Sequence, residues 1–443
     1  MVDDIKYIFR SYDVRGVYGK DIDEEIMSSI GKAFGTYIKK DVAVGCDVRL
    51  SSESLKKAFI DGCISAGINV IDIGVMPLGS AVFYGWQNSC EVAYITASHL
   101  SKEWNGVKFF NSSGIGFMEE ENFKIRDIFM KGVFDEGKGK LKKEDSKKII
   151  SGYVSFLHGK VKPKRKITVA LDCGNGCASL LVPKLFADGF SIIPIFDNPD
   201  GSFPGRGPDP QESELNELKK EKADIGIAYD GDGDRMVVVD DLGRKLSPEQ
   251  ISFFILSDLL KAEKKPVVAN VECTQLLDDI AQRFGVPLIR VNVGHTFLME
   301  GVTKNNACYG VEVAGHYALP SIVPFDDAIA ISYFVSCLLS KKEKKLSEII
   351  NEIPHYPFSR INFFCEDDKK FAVVEKLKKT FSEKYDNVSA IDGVRVDFED
   401  GWILVRASNT ELKLRLTIEA KTEKRFEELK KEFVGIIEKE ISS

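Results

Sequence analysis

"KITVALDCGNG", residues 166–176, is the stretch on which the fold turns. A charged lead-in passes into an apolar run and then into a polar turn closing on Gly174, Asn175 and Gly176, with helix-length amphipathic sequence beyond. That order predicts a buried strand, a turn and a helix, the repeating unit of a parallel sheet. The same shape recurs in "DVAVGCDVR" (41–49) and "KPVVANVECT" (265–274), at spacings of about 100 to 125 residues. Ordinary βα units share this shape by chance, but the regular spacing implies three related α/β domains in series.

Composition changes where those domains should end. The charged "DEGKGKLKKEDSKK" (135–148) closes the first, "DDLGRKLSPEQ" (240–250) leads into the third, and "NEIPHYPFSR" (351–360), with two prolines, leads out of it. Beyond that point "DGVRVDFEDGWILVRASN" alternates apolar and polar residues on both sides of Glu399-Asp400-Gly401, which predicts an antiparallel hairpin, and "KLRLTIEA" adds a strand. An amphipathic helix from about Glu423 to Lys439 completes a small α+β domain. The expected domains are therefore 1–150, 151–250, 251–355 and 356–443.

Composition also excludes whole classes of function. The 443 residues, 44% of them hydrophobic, suffice for three or four cores. The net charge of -7 arises from 68 acidic and 61 basic residues in short mixed runs, not from the basic stripe of a nucleic-acid binder. A small-molecule partner is expected. Nine scattered cysteines, with Cys173 and Cys177 the closest pair, lack zinc-ribbon or redox spacing and read as buried, reduced thiols of a cytosolic protein. The start of the chain has no signal-peptide core and no apolar run is long enough to cross a bilayer, so a soluble cytoplasmic protein without a membrane partner is expected. Whether it forms a homo-oligomer stays open.

The sharpest chemical signal is "DGDGDR", Asp230 to Arg235, directly after the apolar strand "ADIGIAY". Alternating glycines let the backbone turn tightly enough for Asp230, Asp232 and Asp234 to converge, and a hard divalent cation would relieve their repulsion. Arg235 and Asp241 occupy positions where an EF-hand needs glycine and a bidentate glutamate. An acidic surface turn is the plainer alternative. Oxygen-only donors favour Mg²⁺ over zinc, with a phosphate oxygen as a further ligand.

A second strand, "EVAYI", ends in "TASHL", which places Ser98 and His99 at a strand terminus. Ser98 reads either as a helix N-cap or as a nucleophile, and the nearby cations Lys108, Arg15 and His99 suit a phosphate. Asn105-Gly106 predicts a tight turn that swings Lys108 back. No serine-hydrolase elbow is present. "GVEVAGHY" (310–317) sets Glu312 and His316 four apart, suited to sugar hydroxyls or to a plain surface loop. "RASNT" (406–410) collects Arg406, Ser408, Asn409 and Thr410 past a strand, donors suited to phosphate or to a hairpin cap.

These loops together resemble the α-D-phosphohexomutase family, in its phosphomannomutase/phosphoglucomutase branch. The resemblance spans nearly the whole chain and keeps family order: "FRSYDVRG", "TASHL" with "WNGVKF", "DCGNG", "PDGSFPGRGPDP", "DGDGDR", "GHT", the sugar loop and "VRASNTE". It implies an α/β fold of three serial α/β domains of related topology plus a C-terminal α+β domain around one central cleft. It also implies reversible phosphoryl transfer between the 1- and 6-positions of a hexose phosphate, of mannose or glucose, through a phosphoserine and a hexose 1,6-bisphosphate. By the resemblance, Ser98 carries the phosphoryl group and shares Mg²⁺ with Asp230, Asp232 and Asp234, while Arg15, His99 and Lys108 surround the transferring phosphate. Tyr12, Arg235, His295, Glu312 and His316 would meet the substrate, and Arg406, Ser408, Asn409 and Thr410 would grip its other phosphate.

The chain departs from the family pattern at several points. Leu100 and Ser101 stand where asparagine and proline usually follow the serine loop, Glu272 stands near a lysine of some members, Ala314 replaces a serine of the sugar loop, and Leu412 replaces a proline. These bear on sugar choice more than on reaction type, so phosphoglucosamine mutation stays open, as do a sugar-phosphate-binding relative without turnover and a phosphatase using the same metal site.

Overall fold

The computed structural model describes residues 3–407 and 412–442. Each of the three quoted segments forms the centre of its own parallel sheet, because an apolar run with no polar face needs cover on both sides and a strand on either edge. Val42–Cys46 lies between Val70–Val75 and Glu91–Ile95. Thr168–Asp172 lies between Ser191–Ile195 and Ile225–Tyr229. Val267–Asn270 lies between Leu288–Val291 and Tyr309–Val311.

The chain divides into two compact units, Met1–Pro248 with Ala314–Ile349, and Glu249–Val313 with Ile350–Ser443. In the first unit the sheet around Val42–Cys46 has six strands, completed by Leu141–Lys143 beyond Val70–Val75 and by Trp104–Phe110 and Asp13–Val17 on the other side. Trp104–Phe110 runs antiparallel to both its neighbours, which sets Lys108 opposite Asp13 and two residues from the level of Arg15. Phe34, Phe59, Phe109 and Phe117 pack in the core behind this sheet. The second sheet continues from Ile225–Tyr229 into the antiparallel strand Met236–Asp240, so the aspartate motif is the loop of a hairpin.

In the second unit, the parallel sheet of Val267–Asn270 is joined by an antiparallel sheet in the order Phe358–Phe364, Lys413–Ala420, Gly401–Ala407, Val394–Phe398, Val388–Ser389. The expected hairpin is present, with Phe398 opposite Gly401, and the last helix runs Glu423–Ser442. One face of this sheet carries Trp402 and Leu404 onto Val271. Arg395 lies buried over the Trp402 ring at 3.9 Å, donates to the carbonyls of Val271 and Cys273 and pairs with Asp397 at 2.7 Å, so its charge is met by a carboxylate as well as by π density and carbonyl dipoles.

One expectation needs correction. Asn105-Gly106 is not a turn but lies inside Trp104–Phe110. Gly106 is there because a Cβ would strike the Val14 carbonyl oxygen at 1.9 Å, a demand of strand packing and not of chain reversal. Phe358–Phe364, which no sequence signal marked as a strand, is an edge strand whose alternate residues Phe358, Arg360, Asn362 and Phe364 are exposed. The nine cysteines are buried and unbridged, as expected of structural thiols. Among the described residues no helix is long and apolar enough to cross a membrane.

Candidate functional site

The first unit brings together the serine loop and the aspartate loop. Ile225–Tyr229 delivers Asp230, and Gly233, at φ +84, makes the bend that a side chain would resist. Asp230 Oδ1 accepts from the backbone N–H of Gly233 (3.0 Å) and Arg235 (3.1 Å), which closes the loop on itself. The turn that decided the fold supports it from below: Cys177 N–H donates to the Gly231 carbonyl at 2.9 Å. Asp230, Asp232 and Asp234 are all buried, and one carboxylate oxygen of each lies within 4.8 Å of the others.

Ser98 is fully buried and holds φ +51, the left-handed region that non-glycine residues rarely adopt. Such strain persists only where surroundings over-determine it, and Arg49 is the reason here. Its guanidinium, buried and ion-paired to Asp47 at 3.0 Å, donates to the carbonyls of Ser98 (2.7 Å), Leu100 (2.6 Å), Ser101 (2.6 Å) and Trp104 (3.1 Å). The Ser98 N–H donates to Thr96 Oγ1 at 2.8 Å. Held in this way, Ser98 Oγ donates to Asp230 Oδ2 at 2.6 Å, with Asp234 Oδ1 and His99 Nδ1 each at 3.5 Å.

Electrostatics separates the three carboxylates. Burial, with the Asp234 and Asp232 charges beside it, pushes Asp230 well above the ordinary carboxylate range. Asp234 is equally buried, yet Lys108, His316 and Arg235 hold it well below that range. Lys108 Nζ bonds Asp234 Oδ2 at 2.6 Å and Asp232 Oδ2 at 3.2 Å; burial opposes its charge, but the two carboxylates raise its pKa. Burial, reinforced by Arg235 and Arg15, holds His99 well below the ordinary histidine range. Arg15 is anchored on Asp13 at 2.6 Å. Arg235 Nε donates to His316 Nε2 at 2.9 Å, and His316 Nδ1 faces Asp326 Oδ2 at 3.1 Å. Tyr12 is half-buried in the bend before Asp13–Val17.

The donor set fits a hard cation. It offers only oxygens, it is buried, Lys108 contacts two of its carboxylates, and Asp232 Oδ1 is buried without a hydrogen-bond partner. An uncompensated buried carboxylate oxygen costs stability unless something binds it.

The second unit holds the remaining sequence-derived residues. His295 opens the helix His295–Lys304 behind Gly294, whose N–H donates to the buried Glu312 Oε1 at 2.6 Å. Asn270 Nδ2 donates to the same oxygen at 3.2 Å. Glu312 and His316, four apart in sequence, thus have different partners. Arg406 ends Gly401–Ala407, and its side chain is clasped by Asp392 and Glu272. Ser408, Asn409 and Thr410 lie outside the described residues. Sequence reading missed Arg49, Asp326 and Asp392, and gave Thr96 no role although it opens the quoted serine loop. Of the three missed, Arg49 alone gave a signal, as a buried-strand segment ending in a cation.

All four domain descriptions of one family match along the chain. "Phosphoglucomutase/phosphomannomutase, alpha/beta/alpha domain I" matches residues 6–136, domain II 151–243, domain III 247–356 and the C-terminal domain 361–436. This chain belongs to the α-D-phosphohexomutase family. It is a phosphohexomutase, an isomerase of carbohydrate metabolism acting on a sugar phosphate. A Thermococcus kodakarensis protein named "Phosphoglucomutase/phosphomannomutase" is 34% identical over 95% of this chain and 96% of its own. A Methanopyrus kandleri protein named "Probable phosphoglucosamine mutase" is 32% identical over 97% of both, so phosphohexomutases named for different sugars lie equally near. Among solved structures, a phosphoglucomutase/phosphomannomutase family protein of Burkholderia thailandensis superposes with TM-score 0.89 at 27% identity over 98% of each chain. An Aspergillus fumigatus N-acetylphosphoglucosamine mutase, solved with GlcNAc-6P and magnesium, shares the phosphohexomutase fold at TM-score 0.60 and 14% identity, over 98% of this chain and 96% of its own.

Proposed function

We propose that this phosphohexomutase interconverts the 1- and 6-phosphates of glucose and mannose, with Ser98 carrying the phosphoryl group between them. The contact of Ser98 Oγ with Asp230 Oδ2 at 2.6 Å, inside a buried carboxylate triad balanced by Lys108, carries the reading. In the forward half-reaction the P–O bond to Ser98 breaks and a bond forms to a hexose hydroxyl. The hydroxyl gives up its proton as the new bond forms, and Ser98 Oγ takes up a proton as its own bond to phosphorus breaks, with His99 Nδ1 beside that oxygen at 3.5 Å. The other phosphate of the resulting hexose 1,6-bisphosphate then returns to Ser98 by the reverse transfer. Lys108 and Arg15 spread the charge of the phosphoryl oxygens. Asp230, Asp232 and Asp234 would hold Mg²⁺, which when bound supplies further charge compensation at those oxygens.

Arg406, Ser408, Asn409 and Thr410 are assigned to the phosphate that is not reacting, and Tyr12, Arg235, His295, Glu312 and His316 to the sugar. The boundaries 1–150, 151–250, 251–355 and 356–443 go with this division of labour. The "RASNT" form of the phosphate loop favours glucose and mannose; the relatives named for glucosamine keep that sugar as the second reading.

Intact mass of the purified protein, before and after incubation with glucose 1,6-bisphosphate, should show one added phosphate that Ser98→Ala lacks. Coupled assays on glucose, mannose and glucosamine 1-phosphates should show turnover of the first two, with kcat lost in the variant. Near-wild-type kcat in Ser98→Ala overturns the assignment, and a hundredfold preference for glucosamine 1-phosphate moves the reading to that sugar.

A further inference from the structure

Arg406 is the one described residue of the proposed phosphate grip, and three of its five N–H donors already serve carboxylates. Nε and one terminal nitrogen bind Asp392 at 3.1 and 2.9 Å, and the other terminal nitrogen binds Glu272 Oε1 at 2.5 Å. The two acids do different work. Asp392 is built in: it holds φ +46, precedes Gly393 at φ +101, and accepts from the Val293 N–H at 3.2 Å. It fixes the plane of the guanidinium from the chain segment beside it. Glu272 comes from the turn after Val267–Asn270, is nearly buried, and among the described residues its second cation, Arg360, stands off at 3.9 Å.

Two carboxylates against one guanidinium leave the clasp with a net negative charge, offset in part by the exposed Arg360. A dianionic phosphate approaching Arg406 meets the Glu272 charge at hydrogen-bond range of the same guanidinium. Like charges within a few ångströms disfavour one another, more so where burial thins the solvent. We infer that Glu272 is an intramolecular competitor of substrate phosphate for Arg406, an affinity-setting residue that keeps the phosphate grip weak. The inference rests on the proposed role of Arg406 in holding the non-reacting phosphate.

A weak grip has a use in this reaction. The bisphosphate presents first one phosphate and then the other to the serine, so whatever holds the non-reacting end must let go in every cycle. A guanidinium with a resident carboxylate gives up a phosphate and recovers its partner in the same motion. Tight holding would raise affinity in both poses alike and slow the exchange between them.

Glu272→Gln keeps an amide oxygen for Arg406 and removes the charge. Isothermal titration with inorganic phosphate and with glucose 6-phosphate, alongside KM and kcat, decides the matter. Binding of both ligands should tighten by about tenfold and KM should fall, whereas loss of a merely structural contact would weaken both. Glu272→Ala should tighten binding as well. Phosphate affinity unchanged or weaker in both folded variants overturns the inference. If the wild-type protein neither binds nor turns over hexose phosphates, the proposed function fails first, an outcome distinct from wild-type turnover with indifferent variants.

Discussion

Gly231→Ala tests whether the strained serine loop and the aspartate loop act as one rigid part. A Cβ at residue 231 would lie 2.5 Å from the Ser98 carbonyl oxygen, while ordinary contact begins near 3.4 Å, so one side must give by about 0.9 Å. Gly231 does not sit in the left-handed region, so alanine brings no backbone strain of its own and the collision is the whole perturbation. The aspartate side resists, because Cys177 N–H holds the Gly231 carbonyl at 2.9 Å and Asp230 closes the loop on itself. Arg49 holds the Ser98 carbonyl at 2.7 Å on the other side, and a shift there stretches that bond and carries Oγ away from Asp230. Misplacing a reacting atom by about 1 Å costs on the order of 10²-fold in rate, and overpacking costs about 1 to 3 kcal/mol of stability. The expected protein is folded, melts a few degrees lower, and turns over glucose 1-phosphate about a hundredfold more slowly with KM within threefold of wild type. Wild-type kcat in a folded Gly231→Ala would show that the Ser98 geometry is not what the reaction depends on.

Asp232→Asn should weaken Mg²⁺ binding by at least tenfold in titration and lower kcat far more than thermal stability, since Asp232 Oδ1 makes no protein bond that the amide could lose; unchanged metal affinity would count against the triad as the metal site. Chelation should abolish wild-type turnover and Mg²⁺ should restore it. Burial pushes Asp327 up to about 7, where it caps Ala328–Leu339 and accepts from Tyr153. The unfolded chain ionises near the usual 3.8, so between about pH 4 and 7 the native state holds the extra proton and stability falls as pH rises, by roughly 4 kcal/mol in all. Asp327→Asn, which keeps a capping oxygen, should flatten that slope in urea melts across the range; parallel curves for the two proteins would contradict it. Ala314→Ser restores a hydroxyl to the sugar loop and should lower KM by less than about tenfold without moving kcat, because a contact made equally in ground and transition states alters binding alone.

What could be read in the sequence divides by the range of the interaction that decides it. The three central strands were legible because burial on both faces leaves an unbroken apolar run, and the aspartate motif because its glycines and carboxylates are neighbours in the chain. Asn105-Gly106 misled for the opposite reason: the dipeptide marks a turn in most settings, but here Gly106 answers to the Val14 carbonyl, 92 residues earlier, and nothing local records that. The aspartate triad could be placed at a strand end, whereas the state of each member could not, since Lys108 and its position opposite Asp13 lower Asp234 while leaving Asp230 high. Arg406 is the plainest instance. As sequence it is a free cation ahead of three polar residues; in the fold it is clasped by Asp392, 14 residues before it, and by Glu272, 134 residues before it. Under the proposed role of Arg406 in holding phosphate, a guanidinium so paired offers its charge only in competition with Glu272, and the residue that looked like a mere departure from the family pattern would set how firmly substrate is held.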